Sequence, residues 1–177
     1  MIGQSMHGFV GNRDVETEIL EQELSVPTDL RIFYLPKAFY EGYAIEKIYE
    51  LTKIDSWFLQ RLKKIFDLHL ALKKYDSLDQ LPDDLLREVK KKGFSDFQIA
   101  RFIMNSEDDQ IGKDMLTVRK HRVERNILPS VKQIDTLAAE YPAHTNYLYL
   151  TYNGDAHDIP FYHDNKSVIV LGSGAYR

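Results

Sequence analysis

Apolar side chains recur at three- and four-residue intervals over most of residues 14–125, which is the spacing of helices that bury one face. Capping and stop residues divide this pattern into segments, because Asp, Ser and Thr favour helix starts and Gly or Asn favours helix ends. The first three predicted helices run from Asp14 to Leu24, from Thr28 or Asp29 to Gly42, and from Ala44 to Thr52. Pro36 lies inside the second one, where its missing N–H is expected to kink the helix or shift its start.

The longest predicted helix follows Asp55, whose carboxylate can accept hydrogen bonds from first-turn N–H groups. We expect this helix to be the spine of a helical body. Its predicted apolar face contains Trp57, Phe58, Leu62, Ile65, Phe66, Leu68 and Leu72. The segment after it, Tyr75–Leu81, is predicted to be a loop.

Three further helices are predicted between Pro82 and Asn126. Their ranges are Asp83–Lys92, a segment starting at Ser95, and Lys113–Arg125. Ser95 and Gln98 have the spacing of a capping box, in which the cap and the third helical residue satisfy each other's backbone N–H groups. Four apolar residues of the last helix are expected to face the core: Met115, Leu116, Val118 and Val123.

The pattern changes at residues 147–152, where aromatic and aliphatic or hydroxylated side chains alternate as in a short strand. Everything upstream is interpreted as helical, and Pro142 terminates the small-residue segment around Ala138 and Ala139. The apolar run at residues 167–171 predicts a buried strand, which is followed by a glycine-rich turn. The predicted fold class is therefore mainly α: an irregular helical domain, a short strand at its exit, and the first strand and turn of a following α/β unit.

Residues up to about Asn12 have no apolar period and contain glycines at positions 3, 8 and 11. This composition favours a disordered lead. The first residues have neither a basic region followed by an apolar run nor an Arg-rich amphipathic pattern, so no targeting signal is expected.

Composition excludes several classes of function. The formal net charge of -4 gives no general attraction to nucleic acid or to anionic membranes. The chain has no cysteine, which excludes disulfides and thiolate chemistry. No window approaches the roughly 20 apolar residues of a membrane-spanning helix.

Two loops contain residue types found in functional sites. Gly172 and Gly174 follow a predicted strand, as in a phosphate-binding turn, but the helix that would supply amide donors is absent, so no nucleotide is expected to bind. A second loop has metal-ligand side chains at Asp155, His157, Asp158, His163 and Asp164. Their spacing does not place two ligands on one helical face, so we interpret this loop as solvated and predict no metal.

Residues 93–125 resemble a helix-turn-helix nucleic-acid-binding motif, since a short capped helix precedes a basic helix. The basic residues are Arg119, Lys120, His121, Arg122 and Arg125. A helix-turn-helix motif has a three- or four-residue turn, whereas the gap here is longer and carries three acidic residues that would repel phosphates. A solvated basic face is favoured, and nucleic-acid binding is kept as the alternative.

Several motifs in one order resemble the segment that joins the two synthetase halves of the carbamoyl-phosphate synthetase large subunit. The matching segments are Ile54–Leu59, Lys92–Asp96, Gln98–Ala100, Lys132–Thr136, Ala138–Glu140, Thr145–Tyr149 and Val170–Arg177. Together they cover about residues 27–177. The residues of these segments are closer to those of the eukaryotic multifunctional pyrimidine-pathway enzymes than to those of the bacterial enzymes.

The resemblance implies a helical oligomerisation domain between two ATP-grasp units that make carbamoyl phosphate from bicarbonate, glutamine-derived ammonia and ATP. The family's ATP, magnesium and potassium sites lie in those units, so the resemblance assigns no catalytic residue and no metal ligand to this chain. Only Gly172, Gly174 and Arg177 match positions near the second unit's active site, as a truncated glycine-rich turn.

The resemblance also implies three segments. Residues 1–26 are the tail of the first unit or a disordered lead, 27–152 the oligomerisation domain, and 153–177 the linker and truncated start of the second unit. The expected function is a non-catalytic linker and self-association module, with the two synthetase units as further partners and without nucleic acid or membrane. The expected location is the cytoplasm, or the mitochondrion for a urea-cycle type.

Overall fold

The chain forms two compact units, Met1–Leu128 and Pro129–Arg177, in a computed structural model. The structure describes residues 6–12, 19–138, 140–142 and 147–161. Asp14, His163, Asp164, Gly172, Gly174 and Arg177 lie outside the described residues, as does the strand predicted over 167–171.

Seven α-helices lie in the described part of the first unit. They are α1 (Leu20–Ser25), α2 (Arg31–Tyr40), α3 (Ile45–Thr52), α4 (Ser56–Leu72), α5 (Asp83–Lys91), α6 (Asp96–Ile103) and α7 (Ile111–Glu124). A single 3₁₀ turn, Leu78–Gln80, lies in the segment expected to be a loop. The mainly helical class predicted from the sequence is confirmed.

The strongest capping signals in the sequence are confirmed at the helix ends. The Asp55 carboxylate accepts a hydrogen bond from the Trp57 N–H at 2.8 Å. Ser95 and Gln98 form the reciprocal capping box of α6. Gly42 follows α2 with φ +79°, a backbone conformation that glycine adopts without steric cost. Residues with a local hydrogen-bonding or conformational reason for their place are thus found where the sequence predicted them.

Helix α2 begins later than its sequence suggested. Neither Thr28 nor Asp29 opens it; the helix starts at Arg31, and its cap residue Leu30 makes no side-chain hydrogen bond. Pro36 lies in the second turn of α2, and the helix continues through it to Tyr40.

Helix α4 is the spine of the body, as expected, and packs against α2, α3 and α6. Its buried face differs from the prediction, because Leu59 is fully buried whereas Trp57 and Phe58 are 55% and 57% exposed. Residues on a helix are separated by about 100°, so Trp57 points about 160° away from Leu59 and cannot share its face. Phe66 and Leu72 are buried with Leu59.

The buried face of helix α7 also differs from the prediction. Val118 is fully buried, but Met115, Leu116 and Val123 are exposed. The polar residues His121 and Arg122 are buried instead. The apolar positions of α7 therefore do not identify its inner face.

The amino-terminal segment was expected to be a disordered lead or the tail of the first unit, and its described residues 6–12 are packed rather than disordered. Phe9 and Val10 are 8% and 2% exposed. We call residues 6–12 the N-terminal strap, because they pack on the helical body.

The described part of the second unit contains one antiparallel pair of strands, β1 (Ser130–Gln133) and β2 (Leu148–Thr151). Ser130 pairs with Thr151 and Gln133 with Leu148. Strand β2 is the predicted exit strand. Strand β1 contradicts the interpretation of everything upstream of β2 as helical. It was missed because its four residues, Ser-Val-Lys-Gln, contain one apolar side chain and therefore show no alternation.

Candidate interaction surfaces

The N-terminal strap is fixed to α6 by ring packing and a side-chain hydrogen bond. The His7 ring lies 4.3 Å from the Phe97 ring, centroid to centroid. Gln98 donates from Nε2 to the Val10 carbonyl at 3.5 Å. Its Oε1 accepts from the Ser95 N–H at 3.1 Å, so one amide both closes the capping box and holds the strap.

The two glycines of the strap are required for steric reasons, which the composition of the sequence did not reveal. Gly8 and Gly11 have φ of +119° and +80°. A Cβ added at Gly8 would lie 2.5 Å from Gln98 Nε2, and one added at Gly11 would lie 2.3 Å from a carbon of the Phe102 ring. These glycines permit close approach to α6 rather than mark a flexible segment.

Asn12 closes the strap on itself. Its Nδ2 donates to the Gly8 carbonyl at 2.9 Å, and its Oδ1 accepts from the His7 N–H at 3.1 Å. The strap is therefore a defined turn.

A buried ion cluster joins α5, α6 and α7. The Asp96 carboxylate contacts Lys90 Nζ at 2.8 Å and accepts from Arg122 Nε at 3.0 Å on each oxygen. Lys90 also donates to the Phe94 carbonyl at 2.7 Å, and Arg122 to the Ile127 carbonyl at 3.2 Å. Burial lowers the pKa of Lys90, and the hydrogen bond to Asp96 opposes that shift. The cluster is structural, because its donors and acceptors face one another inside the body.

The basic helix considered for nucleic-acid binding is thus only partly available to a partner. Arg122 is engaged with Asp96, and His121 is buried. Arg119 and Lys120 are exposed. Seven residues, 104–110, separate α6 from α7, and within them Asp108 forms an ion pair with Arg101. This geometry does not favour a helix-turn-helix reader, whose turn is shorter.

Exposed aromatic rings and cations gather where α3 ends and α4 begins. We define the α3–α4 corner as Tyr49, Lys53, Trp57, Phe58 and Arg61. The Trp57 and Phe58 rings meet edge to face at 4.9 Å, and the Arg61 guanidinium lies 4.8 Å from the Trp57 ring. Lys53 Nζ lies 5.6 Å from the Tyr49 ring. Trp, Tyr and Arg are the residues most enriched at the energetic centres of protein interfaces.

In the second unit, the loop expected to be solvated holds the edge of β1. His157 Nδ1 accepts from the Val131 N–H at 3.0 Å, and Asp158 Oδ2 accepts from the Gln133 N–H at 2.9 Å. The Asp158 N–H donates to the Val131 carbonyl at 3.0 Å. We call His157 and Asp158 the polar clasp, because they occupy the edge of β1 that β2 does not pair.

Lys132 reinforces the polar clasp. Its Nζ donates to Asp158 Oδ1 at 2.6 Å, and this hydrogen bond lowers the pKa of Asp158 and raises that of Lys132. His157 and Asp158 were considered as metal ligands in the sequence, and the structure gives both of them protein hydrogen bonds. Within the described ranges, His, Cys, Asp and Glu do not form a group of three or more that could hold a metal.

The residues that the resemblance places near the active site of the second unit are Gly172, Gly174 and Arg177. They fall beyond the last described residue, so their geometry contributes nothing to the assignment. Across the described helices, none has the length and apolar character needed to cross a membrane. The surfaces above are consequently the features from which function is argued.

Comparison with known proteins supports the family that the sequence motifs suggested. The family profile described as carbamoyl-phosphate synthetase large chain, oligomerisation domain, matches residues 1–125. Multifunctional protein CAD of Squalus acanthias is 51% identical over 157 residues, covering 89% of this chain and 7% of that protein. Multifunctional protein URA2 of Saccharomyces cerevisiae is 43% identical over 178 residues, covering 99% and 8%.

A relative from a different pathway is also similar. The mitochondrial arginine-specific carbamoyl phosphate synthase large chain of Schizosaccharomyces pombe is 44% identical over 170 residues, covering 96% of this chain and 14% of that protein. The chain thus spans a small fraction of each of these relatives. The family suggested by the sequence motifs is confirmed: the chain belongs to the oligomerisation-domain family of the carbamoyl-phosphate synthetase large chain.

Proposed function

We propose that this chain acts as a non-catalytic helical module that self-associates through the α3–α4 corner and links the two synthetase units of a carbamoyl-phosphate synthetase. The family assignment supports an oligomerisation role. The observation that carries the choice of surface is the exposure of Trp57 and Phe58, 55% and 57%, beside an Arg61 guanidinium. Large rings left in water at a helix start gain most from burial against a second protein surface.

The chemistry of the parent enzyme is assigned to other parts of that enzyme. The parent would make carbamoyl phosphate from bicarbonate, glutamine-derived ammonia and ATP, with ATP, magnesium and potassium held by its two synthetase units. We propose residues 27–152 as the oligomerisation domain and 153–177 as the linker and start of the second unit. The N-terminal strap would then be the point where the first unit joins the helical body.

We infer the pathway and the cellular location of the parent enzyme from its relatives. Similarity to multifunctional proteins supports a pyrimidine-pathway parent, which we place in the cytoplasm, whereas similarity to the arginine-specific chain keeps the arginine pathway and the mitochondrion as the alternative.

The self-association half of this proposal is tested by sedimentation equilibrium of the 177-residue chain at several concentrations. We expect concentration-dependent association that the double substitution Trp57→Ala/Phe58→Ala weakens by roughly 30-fold or more, since two central rings contribute about 2 kcal/mol or more. Leu116→Ala is the matched control, because Leu116 is a similarly exposed apolar residue on α7. Circular dichroism should show unchanged helix content for both variants.

Two results would contradict the proposal. A chain that remains strictly monomeric at high micromolar concentration would reject self-association by this module. Association that Leu116→Ala weakens and the Trp57/Phe58 double variant leaves intact would move the interface from the α3–α4 corner to α7.

A further inference from the structure

The turn after β2 contains an asparagine that is followed by a glycine. Asn153 lies in this turn, and its side chain is exposed to water. It is the one asparagine of the sequence that precedes a glycine. Asparagine is a thermolabile residue, because its side-chain amide can react with the backbone nitrogen of the next residue. Glycine has no side chain to shield that nitrogen, so Gly154 leaves Asn153 open to this reaction.

Packing against β1 explains why a glycine follows Asn153. A Cβ added at Gly154 would lie 3.0 Å from Ser130 Cβ and 3.1 Å from Lys132 Cδ. Both distances are shorter than the 3.5–4.0 Å at which carbon atoms attract each other best. The turn therefore needs the small residue that also makes Asn153 reactive.

The backbone that follows Asn153 is held along β1. Ser130 Oγ donates to the Gly154 carbonyl at 2.8 Å, and Lys132 Nζ donates to the Ala156 carbonyl at 3.3 Å. The polar clasp follows directly after Ala156 and binds the edge of β1. These contacts depend on the length of the backbone between β2 and Gly154, because the loop is held at several successive points.

We propose that Asn153 deamidates spontaneously and that its isoaspartate product loosens the polar clasp. The Gly154 nitrogen loses its proton to solvent and bonds to Asn153 Cγ, and the side-chain nitrogen takes up a proton and leaves as ammonia. Water then opens the cyclic imide at either of its two carbonyl carbons. The net reaction consumes one water molecule and yields one ammonia molecule and either aspartate or isoaspartate.

The two products differ in the length of the backbone. Aspartate keeps the original backbone and adds a negative charge beside the exposed Asp155. Isoaspartate adds the same charge, but its main chain runs through the former side chain and is longer by one carbon atom. Only isoaspartate therefore displaces Gly154 and the residues of the clasp that follow it.

The first test measures the reaction itself in the full chain of 177 residues, incubated at 37 °C at pH 6 and at pH 9. Peptide mass spectrometry follows the replacement of each amide by a carboxyl group, and protein-isoaspartate methyltransferase labels isoaspartate. We expect Asn153 to react at least about tenfold faster than Asn126, and faster at pH 9 than at pH 6, because the attacking nitrogen must lose its proton.

Asn126 is the matched control within the same chain. It is also exposed, but Ile127 follows it with a β-branched side chain, and the Ile127 N–H donates to the Arg122 carbonyl at 2.8 Å. Equal rates at the two asparagines, or a rate at Asn153 that does not rise with pH, would overturn the proposed reaction.

The second test separates the effects of charge and of backbone length. In the isoaspartate form, isolated by chromatography, the Gln133 amide should exchange with solvent hydrogen at least about tenfold faster than in the unreacted chain. Asn153→Asp adds the charge without the extra carbon, so it should change this rate less than about twofold. Asn153→Gln should keep its protection through the same incubation, because its longer side chain closes a larger ring more slowly.

Two results would overturn the effect on the clasp. One is an isoaspartate form in which Gln133 is as protected as in the unreacted chain. The other is an Asn153→Asp chain in which Gln133 exchanges as fast as in the isoaspartate form, since that result would assign the effect to charge instead of backbone length.

Discussion

The two units of the chain are stabilised in different ways. The helical body buries large apolar side chains completely, among them Leu59, Leu72 and Ile99. In the second unit, only Ser130 is buried among the described residues, and Leu148, Tyr149 and Leu150 on β2 are 43%, 49% and 68% exposed. The body therefore has a core of its own, and the two strands do not.

This contrast shows that burial stabilises the described part of the body much more than the two described strands. An isolated pair of strands is marginally stable at best in water, because it offers backbone hydrogen bonds but little burial. Here the polar clasp adds hydrogen bonds along the edge of β1. These bonds stabilise the strand pair where little apolar surface is buried. We infer that the body folds on its own apolar core, whereas the described strands of the second unit are held by backbone and polar hydrogen bonds.

The largest predicted effect concerns the buried ion cluster of the body. Asp96→Ala removes the carboxylate that Lys90 and Arg122 share, and it leaves two buried cations without this partner. Removing one member of a buried ion pair typically costs about 3–5 kcal/mol. We expect the free energy of unfolding, measured by urea denaturation, to fall by that amount with an unchanged m-value.

Asp108→Ala is the control for this prediction. Asp108 also pairs with an arginine, Arg101, but its carboxylate is 81% exposed, so its loss should cost less than about 1 kcal/mol. Equal effects of the two substitutions would mean that the cluster stabilises the body no more than a surface ion pair does.

The next prediction asks whether the N-terminal strap belongs to the body. Gly11→Ala places a methyl group against the Phe102 ring in a backbone conformation of positive φ, so we expect a loss of about 1–3 kcal/mol from strain and overpacking. Urea denaturation measures the loss. NMR contacts between the His7 and Phe97 rings should disappear as the strap detaches.

Gly112→Ala is the matched control, because it makes the same substitution in the first turn of α7. No atom lies within 4 Å of the added Cβ there, and alanine favours helix by up to about 1 kcal/mol over glycine. The two substitutions should therefore have opposite signs. A Gly11→Ala chain that keeps both its stability and its His7–Phe97 contacts would show that the strap does not need glycine.

Sequence patterns predicted the parts of the fold that depend on local chemistry. Asp55 and the Ser95–Gln98 pair cap helices because their side chains reach backbone N–H groups within the next turn. Gly42 ends α2 because its conformation is available to glycine at low cost. Each of these requires only neighbouring residues, which is why one sequence suffices to find it.

Features set by tertiary packing were missed. Trp57 and Leu59 are both apolar, and only the position of α4 against α2, α3 and α6 decides which of them is buried. Gly8 and Gly11 looked like flexible residues because the Gln98 amide and the Phe102 ring that require them lie about 90 positions later in the chain. The second role of Gln98, holding Val10, is invisible for the same reason.

The smallest predicted effect is confined to the second unit and tests the polar clasp. Asp158→Ala removes the acceptor of both the Gln133 N–H and Lys132 Nζ, so the Gln133 amide should exchange faster with solvent hydrogen. The urea midpoint of the helical body should stay unchanged, because the body is a separate compact unit. Asp155→Ala, an exposed carboxylate in the same loop, should leave the exchange rate of Gln133 as it is in the wild type.

The same clasp has a defined pH dependence. Hydrogen bonds from Lys132 and Gln133 lower the pKa of Asp158 below its ordinary value of 3.8, so the folded unit binds this proton less readily than the unfolded chain. The contribution of Asp158 is therefore fully present above the unfolded pKa and is lost as pH falls through the lower, folded pKa. Protection of the Gln133 amide should persist at pH 5 and disappear only under more acidic conditions. Loss of protection already between pH 7 and 5 would contradict this assignment, because Asp158 remains ionised throughout that range.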